Sequence, residues 1–208
     1  MTDSTNGASP PKYVFVISTG RTATTAFAAA SSFLPGFTAE HESRVSQSFS
    51  TRLDFAPNHI EADNRLIFYL AQLEEKFGDD AYYVFLKRDP EAIVKSYARR
   101  WHLTVSIVRA WTHGIRMIPR IEEADIEDCC RDFVSYADST LSLFLARQRH
   151  VMTFDTADAA NEFIRFSKWI GVGTPPPAAI EQWNKRHNLN PDNDWGVKFR
   201  RLIRLCLP

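Results

Sequence analysis

Two short apolar runs decide what this chain can become. Tyr13-Val14-Phe15-Val16-Ile17 and Tyr82-Tyr83-Val84-Phe85-Leu86 are continuous, rich in β-branched and aromatic residues, and free of polar alternation. A strand with one wet face alternates, whereas a strand covered on both faces does not. Each run therefore reads as an interior strand of a mainly parallel sheet. The first feeds Ser18-Thr19-Gly20-Arg21-Thr22-Ala23-Thr24-Thr25 and then the helix-favouring Ala26-Phe27-Ala28-Ala29-Ala30. The second runs into Lys87-Arg88-Asp89-Pro90, where Pro90 suits a first helical turn and predicts a helix through Trp101. Strand, polar turn, helix, met twice, is the unit of an α/β domain whose ligands bind at the carboxyl ends of the strands.

The remaining elements fit that scheme. Residues 37–40 and 59–62 are expected as short strands, with an aperiodic surface excursion over 43–56. Leu66, Leu70, Leu73 and Phe77 recur at helical spacing before Gly78. Phe133, Tyr136, Thr140 and Phe144 mark another helix, and Val151–Phe154 a last strand. Asp158 is expected to cap a helix ended by Gly171, and Pro175-Pro176-Pro177 to begin an extended segment. Residues 1–11 read as a disordered lead-in, and 12–208 as a single domain.

Lys plus Arg and Asp plus Glu both number 25, giving a formal net charge of zero. A nucleic-acid coat and a polybasic membrane anchor are therefore disfavoured, and any anion site must be local. No apolar run approaches the length of a membrane-spanning helix. Cys129, Cys130 and Cys206 cannot all pair within the chain, and adjacent cysteines bridge poorly, so reduced thiols and a cytoplasmic setting are expected.

The turn at 18–25 carries the chemistry. A strand-to-helix turn aims unsatisfied backbone N–H groups and the positive helix end at one point, an anion cradle. Gly20 permits unusual backbone angles. Thr22, Thr24 and Thr25 add hydroxyls, and Arg21 adds a planar fork suited to phosphate or sulfate oxygens. No Lys precedes a Ser or Thr here, so the Mg-dependent nucleotide loop G-x-x-x-x-G-K-[ST] is absent. In the second unit Arg88 leads R-D-P-x-x-x-x-x-S, ending at Ser96, a pair suited to a second phosphate.

YVFVISTGRTATT and YYVFLKRDPEAIVKSY together resemble the two nucleotide-gripping elements of the sulfotransferases that use 3′-phosphoadenosine-5′-phosphosulfate (PAPS). VMTFDTADAANEFIRFSKWIGV and NDWGVKF are more weakly similar to later family segments. The resemblance implies a three-layer P-loop NTPase-like α/β domain, with a central, mainly parallel sheet flanked by helices. It implies that Thr19, Gly20, Arg21, Thr22, Ala23, Thr24 and Thr25 hold the 5′-phosphosulfate, and that Arg88 and Ser96 hold the 3′-phosphate, with Lys198 near the terminal contact. It further implies in-line, metal-independent transfer from PAPS to a hydroxyl or amine of a small-molecule or glycan acceptor, leaving 3′-phosphoadenosine-5′-phosphate (PAP). Arg21 would stabilise charge on the transferred group. The general base is expected at Glu61, on the strand end in HIEADN, with His41 and Glu42 of EHES as alternatives. A loop arginine paired with Glu61 would give that carboxylate a structural role instead. Residues 41–57 and 102–124 are expected to build the acceptor pocket. Trp101, Trp111, Phe49 and Met117 would give its walls unless the tryptophans pack in the core, and Arg109, Arg116 and Arg120 its charge. A non-catalytic nucleotide- or partner-binding module of this fold, or a P-loop phosphotransferase, are the competing readings.

Overall fold

The structure, a computed structural model, describes residues 11–185. Lys198, NDWGVKF and the basic C-terminal stretch lie outside the described residues, as does the lead-in apart from Pro11. Five strands form one sheet: β1 (Tyr13–Ser18), β2 (Thr38–His41), β3 (His59–Ala62), β4 (Ala81–Lys87) and β5 (Val151–Asp155). Their order is β2-β3-β1-β4-β5, and all four pairings are parallel.

The uninterrupted apolar runs behave as their composition demands. In β1, Val14 and Val16 enter one core, while Phe15 and Ile17 enter the other. In β4, Val84 and Leu86 join the first pair, while Tyr83 and Phe85 join the second. The first core is covered by α1 (Thr24–Ser31), α6 (Ala159–Trp169) and α7 (Pro177–Glu181). The second is covered by α2 (Leu70–Phe77), α3 (Pro90–Ala98) and α5 (Ile126–Leu145). These are the three layers of a P-loop-like α/β domain with its sheet in the middle. Phe27 of α1 centres the first core, with ring centroids 4.8 Å from Phe166 and 5.2 Å from Phe154.

Local chemistry sets the helix starts. Pro90 opens α3, and the Asp89 carboxylate accepts from the Ala92 amide at 3.0 Å. The helix stops at Ala98, short of the expected Trp101, and the chain continues through turns to α4 (Ile107–Arg109) and one π-helical turn at Ala110–Ile115. Asp158 stands at the start of α6 but makes no backbone cap; its carboxylate accepts from the Asn161 side chain at 2.9 Å. The proline segment is extended only as far as Pro176, since Pro177 is the first residue of α7. Within the 43–56 excursion, Arg52 and Leu53 are buried rather than on the surface.

Chain direction creates a crevice. From the central strand β1 the chain leaves through α1 to one face, and from its neighbour β4 through α3 to the other. Among the described residues the two polar turns flank the space between their carboxyl ends, the topological switch point where ligands of such sheets bind.

Candidate functional site

The turn after β1 is wound by left-handed residues. Gly20, Arg21 and Ala23 have φ of 84°, 58° and 64°. Ala23 sits at the N-cap of α1 with no side-chain cap, so the helix's first amides have no side-chain acceptor there. Gly20 is required by a neighbour as well as by its angles. A Cβ there would stand 1.9 Å from the Tyr97 hydroxyl and 2.9 Å from Asn64 Nδ2. Tyr97, on α3, donates to the Thr19 carbonyl at 2.9 Å. Burial pushes its phenol well above the usual value, so it stays a protonated donor.

Arg21 is the hub. Its Nε donates to Ser96 Oγ at 3.0 Å, and its carbonyl accepts from Arg88 Nη1 at 2.9 Å. The structure thus brings Arg88 and Ser96 to the turn, but both engage Arg21 rather than standing apart as a separate pair. Burial, then the guanidinium of Arg100, then those of Arg88 and Arg99, hold Arg21 below its ordinary pKa. A guanidinium stays charged regardless. None of these four arginines pairs with a carboxylate among the described residues. Four cations around one turn, none of them ion-paired with a described carboxylate, favour a polyanion.

The group fits a phosphosulfate by its donors. Thr22 Oγ1 is fully buried and has no hydrogen-bond partner among the described residues. A hydroxyl left so is costly unless a ligand satisfies it. Thr24 Oγ1 lies 3.0 Å and Thr25 Oγ1 3.4 Å from His41 Nε2.

The three candidate bases separate cleanly. His41 and Glu42 line a cavity of about 740 Å³ that also takes in Arg21 and Thr24. Glu42 lies 3.8 Å from His41 Nε2 and is held on its other oxygen by Arg65. Arg65 also donates through its backbone N–H to Asp63 at 2.8 Å, and Asp63 pairs with Arg52 in the interior. Glu61 does not line the cavity. It is fully buried, and Ser43 donates to its two oxygens, through N–H at 2.8 Å and Oγ at 2.6 Å. His59 Nε2 adds a contact at 3.1 Å, while His59 Nδ1 meets Thr38 Oγ1 at 2.8 Å. Among the described residues the partners of Glu61 are thus a serine and a histidine, with no loop arginine. Together they pin the corner that carries His41 and Glu42, the latter at φ 53°. Glu40, His59 and Glu61 place ligand-type atoms within 4.8 Å of one another, but those of Glu61 are already engaged.

The apolar walls of the cavity draw on both expected stretches, 41–57 and 102–124, but mostly through other side chains than those expected. They come from Val45, Phe68, Tyr69, Leu103, Val105 and Ile107. Trp101 and Trp111 pack against the core beneath α3 and α5, because their rings have apolar neighbours there. Phe49 reaches the cavity only by stacking on Tyr69, at 5.7 Å between centroids. Met117 is exposed away from the lining. Arg109 donates to the Leu103 carbonyl and Arg116 pairs with Asp132, and neither arginine lines the cavity. Arg120 does not line it either. Tyr97, Asn64, Arg65 and Arg100 escape a reading by motif, because no spacing relates them to the turn. Only the pairing of α3 with β1 could have placed Tyr97.

A second cavity, of about 450 Å³, opens across the turn against Thr19, Lys87, Arg88 and Ser139. No helix among the described residues is long and apolar enough to cross a membrane.

No protein-family model and no curated protein matches this chain. Solved structures do, among them two sulfotransferase domains. The sulfotransferase domain from the curacin biosynthetic pathway superposes with a TM-score of 0.61 at 9% identity, over 86% of this chain and 80% of that one. The sulfotransferase domain from the Synechococcus PCC 7002 olefin synthase gives 0.52 at 11% identity, over the whole of both chains. This chain therefore has the fold found in sulfotransferase domains.

Proposed function

We propose that this protein is a PAPS-dependent sulfotransferase acting in the cytoplasm, where Cys129 and Cys130, both unbridged, stay reduced. The observation that carries the reading is the convergence of Arg88, Ser96 and the 18–25 turn on Arg21 in the crevice between β1 and β4. The 5′-phosphosulfate is assigned to Thr19, Gly20, Thr22, Ala23, Thr24, Thr25 and the start of α1. The 3′-phosphate is assigned to Arg88 and Ser96, with Lys198 beyond the described residues as a further contact. PAPS supplies a sulfuryl group on a phosphate–sulfate anhydride.

His41 is the proposed base, ahead of Glu61, because it shares the cavity with Arg21 and touches Thr24. Glu42 stands beside it, 3.8 Å from His41 Nε2. The acceptor oxygen bonds to sulfur as the bond from sulfur to the 5′-phosphate oxygen breaks. The acceptor proton passes to His41, and PAP leaves with the electron pair on that oxygen. Arg21 faces the charge that spreads over the sulfuryl oxygens in between. Its positive charge needs no metal, so transfer survives EDTA.

Ligand-dependent melting tests the reading. PAP raises the Tm well above AMP or ATP with Mg²⁺, because it alone carries both phosphates. Arg88→Ala removes most of that preference. ATP with Mg²⁺ stabilising better than PAP would favour a phosphotransferase instead.

A further inference from the structure

We infer that Arg100 is a second catalytic arginine, which with Arg21 holds the non-bridging oxygens of the sulfuryl group while that group is in transit; the inference rests on the sulfotransferase reading of the same cavity. Four arginines line the cavity of about 740 Å³: Arg21, Arg52, Arg65 and Arg100. Two of them are already neutralised. Arg52 pairs with the buried Asp63. Arg65 pairs with Asp63 and with Glu42, the one carboxylate among the described lining residues. Arg21 and Arg100 have no carboxylate partner among the described residues, so the uncompensated charge of the cavity is theirs.

Helix geometry puts that charge at the turn after β1. Helical winding continues past Ala98: Arg99 keeps φ −57°, and the Arg100 N–H donates to the Tyr97 carbonyl at 2.9 Å. Ser96 and Arg100, four residues apart, therefore lie on one side. That side already meets the turn. Ser96 accepts from Arg21 Nε at 3.0 Å, and Tyr97 donates to the Thr19 carbonyl at 2.9 Å. After burial, the Arg100 guanidinium does most to hold Arg21 below its ordinary pKa. Two like charges held together without a counter-ion are costly, and an anion shared between them removes that cost. The side of the turn decides which anion. Arg88 lines the second cavity and not the first, whereas Arg100 lines the first with His41 and Thr24. The acceptor oxygen reaches sulfur from that first cavity. A cation there meets the sulfuryl oxygens as charge builds on them, and not the 3′-phosphate.

Binding and turnover of wild type, Arg100→Ala and Arg100→Lys test this, with Lys95→Ala, an exposed cation of the same helix, as control. Titration calorimetry compares PAPS, which carries the sulfuryl group, with PAP, which lacks it. Release of radiolabelled sulfate from PAPS to water measures transfer without a known acceptor: the water oxygen bonds to sulfur, the bond to the 5′-phosphate oxygen breaks, and the proton passes to His41. Arg100→Ala lowers PAPS affinity roughly tenfold or more and leaves PAP affinity unchanged. Its sulfate release falls roughly 10²-fold, and added methylguanidinium restores part of the rate, which a merely structural loss would not allow. Arg100→Lys keeps a cation and loses less, and Lys95→Ala changes neither measurement. Arg100→Ala that keeps PAPS affinity and rate, or that loses PAP and PAPS equally, overturns the inference alone. Wild type that binds PAP no better than AMP removes the donor reading, and this inference with it.

Discussion

Gly20→Ala isolates the contact between the cradle and α3. Alanine at φ 84° costs about 1 kcal/mol relative to glycine. Its Cβ would also lie 1.9 Å from the Tyr97 hydroxyl, so that hydroxyl must move. Moving it breaks the 2.9 Å bond to the Thr19 carbonyl and leaves a buried donor and acceptor unsatisfied, about 1–3 kcal/mol. The expected loss is therefore about 2–4 kcal/mol. Tyr97→Phe removes the obstructing oxygen, although the ring carbon remains 3.2 Å from the new Cβ. In that background Gly20→Ala should cost only the backbone strain and a small ring adjustment. Urea unfolding of wild type, both single variants and the double variant, with m unchanged, gives the coupling directly. A coupling of about 1–3 kcal/mol is expected. A coupling near zero would mean that the hydroxyl does not hold the turn, and that Gly20 answers to φ alone.

Arg21→Ala lowers kcat with PAPS by roughly 10²-fold or more, the usual loss of an electrostatic stabiliser, in steady-state assays. His41→Asn abolishes turnover but keeps PAP stabilisation, whereas Glu61→Gln, which disturbs the Ser43 clamp, lowers the Tm as well as the rate; the reverse pattern returns the base to Glu61. Ala23→Gly, at φ 64°, stabilises by about 0.5–1 kcal/mol in urea, since glycine relieves a left-handed angle. Burial pushes the Cys130 thiol up to about 12, and raises Cys129 as well, so neither is alkylated by iodoacetamide near pH 8 unless the protein unfolds. Because both thiols hold their protons longer folded than unfolded, they make stability fall as pH climbs above roughly 8.5, seen as a lower urea midpoint.

The sheet was legible because its two central strands are buried on both faces and so carry no alternation. The turn was legible because hydroxyls, a glycine and an arginine follow such a strand directly. What decided the site's details lies between segments distant in sequence. Glu61 reads as a base at a strand end; its engagement by Ser43, from the turn after β2, is announced by no local pattern. Arg52 sits in an aperiodic stretch, and only its pairing with Asp63 accounts for its burial. The acceptor wall was sought in tryptophans because they are large. Size equally suits a core, and Trp111 stacks on Tyr136 there at 4.2 Å. Ser96 was matched to Arg88 by spacing; that its hydroxyl also accepts from Arg21, 75 positions away, is written in no local pattern.

The central position of β1 bears on how the chain is made. Ser18 pairs with Leu86, so β1 leaves the ribosome with no neighbour on that side until β4 follows. At about 5–20 residues per second, roughly 70 residues of delay leave Tyr13–Ile17 waiting on the order of 4–14 s. A five-residue stretch of high β-propensity without charge is then open to pairing with a second nascent chain. Parallel sheets of this order fold slowly, because no short hairpin can satisfy their first strand. Slower growth temperature and abundant holdase chaperones should therefore raise the yield of folded protein more than any stabilising change in the finished domain.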